Sequence, residues 1–153
     1  MFERKKGVAY LRKIDNLQRN LWEIRNSVEG PFQFISARLS VFMPPDKAAL
    51  HDTSKGEIFT RAADKVKELS SGLLQLLPPA SCDLVHASMI QELVPLEKGL
   101  RCLGDGCKEG DVVEISIGRD MYLQSGMFSL ETAKETALVA AQYRIETWEI
   151  EES

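Results

Sequence analysis

Little in this sequence is suited to covalent or metal chemistry. It carries only two histidines and three cysteines. An odd number of cysteines in a chain of this size argues against a secreted disulfide framework. With no apolar leader behind Met-Phe-Glu-Arg-Lys-Lys, the expectation is a cytoplasmic protein. No apolar run approaches the roughly 20 residues of a membrane span, so no membrane role is expected. Aromatic residues make up 7% of the chain, few for a surface that stacks on bases. No glycine-rich phosphate loop, nucleophile elbow or His-Glu-x-x-His pair occurs. No repeat, low-complexity tract or linker divides residues 1–153, which is a usual length for one domain.

The few candidate ligands are badly spaced. Cys82 and His86 would lie one helical turn apart, but Cys102 would stand about 30 Å further along the same helix. Cys102 and Cys107 alone supply two ligands where zinc takes four. Asp83-Leu-Val-His86 is the sole approach to the Glu-x-x-His motif that di-iron bundles use twice. No metal and no cofactor is expected, and His86 reads as a surface or half-buried histidine. A Cys102–Cys107 disulfide stays open, since sequence does not give the Cα separation.

What the chain does contain is helical periodicity. The longest proline-free stretch of that kind, Asp111 to Trp148, begins with a capping box of Asp111 and Glu114. Tyr122, Leu130, Ala133, Ala137, Ala141, Ile145 and Trp148 recur mostly at three- and four-residue steps, predicting one buried stripe. Alanines at 133, 137, 140 and 141 would let a neighbouring helix come close, so that face is expected to be the tightest contact in the fold. Gly118 and Gly126 weaken the helix reading, and Val112–Ile117 alternates enough to suit a short strand.

Earlier in the chain, Leu11, Ile14, Leu17, Leu21, Ile24 and Val28 predict an amphipathic helix over 2–29 that ends at Gly30-Pro31. A second, short helix is expected over Pro31–Phe42, although Phe32, Phe34, Leu39 and Val41 also alternate as a strand would. Met43–Thr53 reads as a loop, with a helical turn at Pro45–Leu50. A capping box at Ser54–Glu57 opens a third helix through Phe59, Ala62, Val66, Leu69, Leu73 and Leu76. A fourth runs from Ser81 to Leu103, kinked at Pro95 and closed by Gly104-Asp105-Gly106.

The fold class is therefore all-α: an up-and-down bundle of four main helices plus one short helix, elongated if the last helix is straight. Within it, Leu11-Arg12-Lys13-Ile14-Asp15 resembles the first helix of the chorismate mutase family. That family's later Asp-x-x-Arg-Glu pattern is missing here, and no active site is carried over.

Net charge is −4, but residues 1–40 hold eight basic groups against four acidic ones. Lys5, Arg12 and Arg19 recur at seven-residue steps, a stripe that could follow phosphates. Acidic residues interrupt it, which favours a solvated face and makes nucleic acid an unlikely partner. Trp22, on the apolar flank, is expected to pack. Glu146, Glu149, Glu151 and Glu152 crowd a helix C-terminus, where negative charge is disfavoured, and suggest fraying or a basic partner. The function expected is interaction or scaffolding without catalysis, as a homo-oligomer such as a dimer or with a protein partner. Lys5, Arg12, Arg19, Ala133, Ala137 and Ala141 form the candidate surface. The alternatives are an enzyme or small-ligand binder with its site between helices, and a nucleic-acid accessory protein using the basic helix.

Overall fold

The apolar stripe of the first helix does not stop at Gly30-Pro31. In the computed structural model, which describes residues 2–39 and 50–151, α1 runs unbroken from Phe2 to Leu39. Leu11, Ile14, Leu17, Leu21, Ile24, Val28, Phe32 and Ile35 are all buried along one face. Proline within a helix costs about 3 kcal/mol, because it removes a hydrogen bond and crowds the preceding turn. Burying Phe32 and Ile35 returns roughly 1.5–3 kcal/mol each. The carbonyl that Pro31 leaves unpaired belongs to Ser27, which faces solvent, so water can donate to it. The separate short helix expected over Pro31–Phe42 is thus the last third of α1, and positions 40–42 lie outside the described residues. So does the expected turn at Pro45–Leu50, apart from the helical, buried Leu50.

Helix α2 spans Thr53–Leu74 and starts before the expected capping box. Its N-cap is Asp52, whose side chain accepts from the Lys55 amide at 2.9 Å. The amide of Asp52 in turn donates to the Cys107 carbonyl at 2.7 Å, so a tertiary bond fixes where the helix begins. A 3-10 turn at Ala80–Cys82 leads into α3, Asp83–Glu109, which continues through Pro95. Gly104 and Gly106, expected to end α3, lie inside it. The terminator is Gly110, left-handed at φ 69°, whose amide bonds to the Gly106 carbonyl.

Helix α4, Val112–Tyr143, opens at Asp111 as the sequence predicts, with the Asp111 carboxylate accepting from the Glu114 amide at 3.1 Å. Val112–Ile117 is helix, and no strand occurs among the described residues. The helix stops short of Trp148. Arg144 turns left-handed at φ 54° and Ile145 donates back to Ala140 at 2.8 Å. This closes the end in the manner of a Schellman turn and swings Ile145 into the core. A short α5, Thr147–Glu151, then lies against α1.

The long helices alternate in direction. Tyr10 of α1 reaches His86 of α3 while Arg25 reaches Glu92, so α1 and α3 run parallel, diagonally across the bundle. Arg4 meets Tyr143, and Phe32 stacks on Tyr122, so α1 and α4 are antiparallel neighbours. Asp64 of α2 pairs with Arg101 of α3, and Thr132 of α4 with Ser88 of α3.

Helix α3 packs far more intimately on α2 and α4 than α1 packs on any neighbour, and glycine is the reason. A Cβ added at Gly99 would stand 2.8 Å from the Tyr122 amide nitrogen and 2.9 Å from the Gly118 carbonyl oxygen. Added at Gly104, it would stand 2.5 Å from Thr60 Oγ1 and 3.0 Å from the Gly56 carbonyl oxygen. The tightest contacts therefore lie at these glycines and not at the alanine face: Ala133, Ala137 and Ala141 are exposed. At 38 residues, α1 is about 57 Å long. A compact domain of this length has a radius of gyration of about 15 Å, so a bundle laid along α1 is elongated. Among the described residues no helix is long and apolar enough to cross a membrane.

Candidate interaction surface

Helix α4 is inside out relative to its neighbours. The side it turns to the bundle carries Ile115, Gly118, Tyr122, Ser125, Thr132 and Val139, small or hydroxyl-bearing for the most part. The close approach at Gly118 leaves no room for large side chains below it. The hydroxyls satisfy themselves locally: Ser125 donates to the Tyr122 carbonyl at 2.6 Å, and Thr132 lies 3.0 Å from the Phe128 carbonyl and 3.1 Å from the Ser88 hydroxyl. The apolar residues face the other way. Met127 is 71% and Leu130 75% exposed, and Val113, Ile117, Leu123 and Leu138 are also open. Of the stripe predicted to be buried, Tyr122 and Ile145 are, whereas Leu130, the three alanines and Trp148 face solvent.

The exposed side has its own order. Leu123, Met127, Leu130, Lys134, Ala137 and Ala141 follow one another by steps of four, three, four, three and four. That is a heptad seam with a single polar position, lying wholly on the exposed side. Along its flank, Ala133 and Ala137 also border a groove of about 420 Å³ between α1 and α4. Leu11, Ile14 and Gln18 form the opposite wall, and Ile150 of α5 closes one end.

Near this groove the bundle encloses a carboxylate, the one fully buried among the described residues. Glu92 of α3 has no solvent exposure and is held by Arg25 at 3.0 Å and Gln18 at 3.4 Å. Arg25 also donates to Ser125 at 3.1 Å and lies over the Tyr122 ring. Burial pushes the Glu92 carboxyl above its usual range, and Arg25 opposes that shift. Burial likewise raises Tyr10, whose hydroxyl is 2.7 Å from His86 Nδ1. His86 is half-buried, as its sequence position suggests.

The basic stripe on α1 is divided among different duties. Lys5 is exposed, Arg19 pairs with Asp15 at 2.9 Å, and Arg12 donates to the Glu149 carbonyl at 2.7 Å. Arg4 holds both carboxylate oxygens of Glu149 at 2.8 Å. The basic partner suggested by the acidic C-terminal cluster is thus, for Glu149, the chain's own first helix. A hydrogen bond from the Glu146 amide, followed by Arg4, holds the Glu149 carboxyl below its ordinary range. Trp22, expected to pack, is 66% exposed, because it sits one position off the buried stripe at Leu21.

All three cysteines are free. Cys82 and Cys107 are buried and Cys102 half-buried. Burial raises each thiol, Cys107 to about 11, so none is poised as a nucleophile. Among the described residues no three His, Cys, Asp or Glu side chains gather to hold a metal.

The chain matches no family model, no curated protein and no solved structure. The likeness of residues 11–15 to a chorismate mutase helix therefore carries no further argument, and function must be read from the surface. Leu123, Met127 and Leu138 do not follow from an assumption that apolar means buried. For Leu123 and Met127 the signal is the 3.5-residue spacing they share with Leu130, Ala137 and Ala141.

Proposed function

We propose that this protein is a non-catalytic interaction module whose working face is the outer side of α4. One observation carries the reading: six large apolar residues of a long helix, Val113, Ile117, Leu123, Met127, Leu130 and Leu138, face water. Scattered exposed apolar residues need no explanation, but a contiguous patch is characteristic of an interaction site. Charged residues along the same helix keep such a face dispersed in water until it is covered. Three free thiols agree with a reducing compartment, and we place the protein in the cytosol as a single domain.

The expected partner surface is another amphipathic helix, since a heptad seam is complementary to one. The test compares parent protein with Met127→Glu and Leu130→Glu. Both positions are open, so the helical circular-dichroism spectrum should hold while association with other chains is lost. Association that survives both substitutions would refute the reading. A small-ligand role for the α1–α4 groove is the second reading, favoured by its volume and by the enclosed Arg25–Glu92 pair beside it. The nucleic-acid reading is the weakest, because Arg12 and Arg19 are already engaged within the chain.

A further inference from the structure

Resting on the α4 face as the working surface, we infer that its occupant is a second copy of the same helix, packed antiparallel about a two-fold axis. The seam is large at one end, with Leu123, Met127 and Leu130, and small at the other, with Ala137 and Ala141. Antiparallel pairing sets each large residue against a small one: Leu123 against Ala141 of the second copy, Met127 against Ala137, and Leu130 against the aliphatic stem of Lys134. These are three successive layers in a single register. Parallel pairing would instead stack Leu on Leu at one end and leave facing alanines apart at the other. Alternating large and small across facing positions is what lets two helices interdigitate without voids.

Charge agrees with the same register. Beyond these layers the same register brings Asp120 near Arg144, the left-handed residue just past the end of the second copy's helix, once at each end, and Lys134 falls beside Glu131 across the axis. All four residues are exposed. Among the described residues none of the four takes part in an ion pair within its own chain. A self-complementary patch in which one residue meets another and the reverse contact follows by symmetry is the signature of an isologous interface. The one lysine position in the seam fixes register, since a one-heptad slip would face Lys134 with a different layer.

Light scattering of the full chain at micromolar concentration should give twice the 17.2 kDa monomer mass. Asp120→Arg should weaken the dimer by about tenfold or more, because it sets like charges together at both ends. Adding Arg144→Asp should restore it. In a Cys102→Ser background, chains carrying Met127→Cys should form disulfides with chains carrying Ala137→Cys, but not with each other. Circular dichroism confirms that each variant is folded. A monomeric parent overturns the second copy as occupant, and the reading of the face then stands or falls on whether Met127→Glu abolishes association with any other chain. Disulfides between two Met127→Cys chains overturn the antiparallel register. A dimer indifferent to Met127→Glu overturns both the inference and the reading beneath it.

Discussion

Gly99→Ala is the sharpest probe of how this fold is held together. The substitution adds one methyl group to the middle of α3, and helix propensity alone would reward it with about 1 kcal/mol. Here, however, the new carbon meets backbone on α4, 2.8 Å from the Tyr122 nitrogen and 2.9 Å from the Gly118 oxygen. Backbone cannot swing aside as a side chain does, so the two helices must separate along an interface that runs most of their length. Overpacking typically costs 1–3 kcal/mol, and two backbone contacts put this site at the upper end. After the propensity gain the net loss should be about 2 kcal/mol, which lowers the melting temperature of a domain this size by roughly 4–8 °C. Gly126→Ala supplies the control. It lies on α4 with nothing within 4 Å of the added carbon, so the same chemical change should stabilise by about 1 kcal/mol. Calorimetry on both variants is sufficient. If Gly99→Ala melts at or above the parent, α3 and α4 are not in the close contact described, and the account of why α4 buries small residues fails with it.

Two further outcomes follow from the polar groups. Arg25→Ala leaves Glu92 enclosed without its partner, so that it must bear an unpaired charge or take up a proton, which should cost about 3–5 kcal/mol in urea denaturation; Glu92→Gln, which removes the charge itself, should cost clearly less. For Glu149 the folded-state carboxyl is held below its unfolded value of 4.5, so its contribution is present above that pH and fades as the pH falls through the lowered folded value. The protection of amides 145–151, exchange measured against the intrinsic rate at the same pH, should therefore fall on acidification below 4.5, and in Arg4→Ala it should already be low at neutral pH.

The helical architecture was legible wherever periodicity and capping agreed. Leu11 to Val28, Phe59 to Leu73 and Val85 to Leu103 are buried or half-buried as their spacing predicts, and Asp111 caps α4. The errors share a cause. Gly30-Pro31 and Gly104-Asp105-Gly106 carry the local chemistry of helix ends, but tertiary contacts decided otherwise: the buried Phe32 and Ile35 carry α1 past one, and close neighbours at Thr60 and Ile115 need the missing side chains of the other. For α4 the assumption that apolar residues mark the inside fails, because Gly118, which weakens the helix reading on propensity, is with Ser125 and Thr132 part of the contact itself. The ties between Arg4, Arg12 and Glu149 join positions far apart in the chain. No local pattern could have announced them.

The glycine-lined contacts also divide the labour of ordering the chain. Helices α2, α3 and α4 meet their closest partners across short turns, so each pairing closes a small loop and carries little entropic cost. Helix α1 is fixed last in this arithmetic, by bonds such as Arg4 to Glu149 that span 145 positions. Loop-closure entropy grows only with the logarithm of length, yet α1 has no backbone-to-backbone notch to set against it. The hold on α1 rests instead on one apolar stripe, the enclosed Arg25–Glu92 pair and the clasp of α5. The chain thus consists of a locally closed three-helix slab and a long strut laid across it, and the strut is the part whose place depends on the rest having formed.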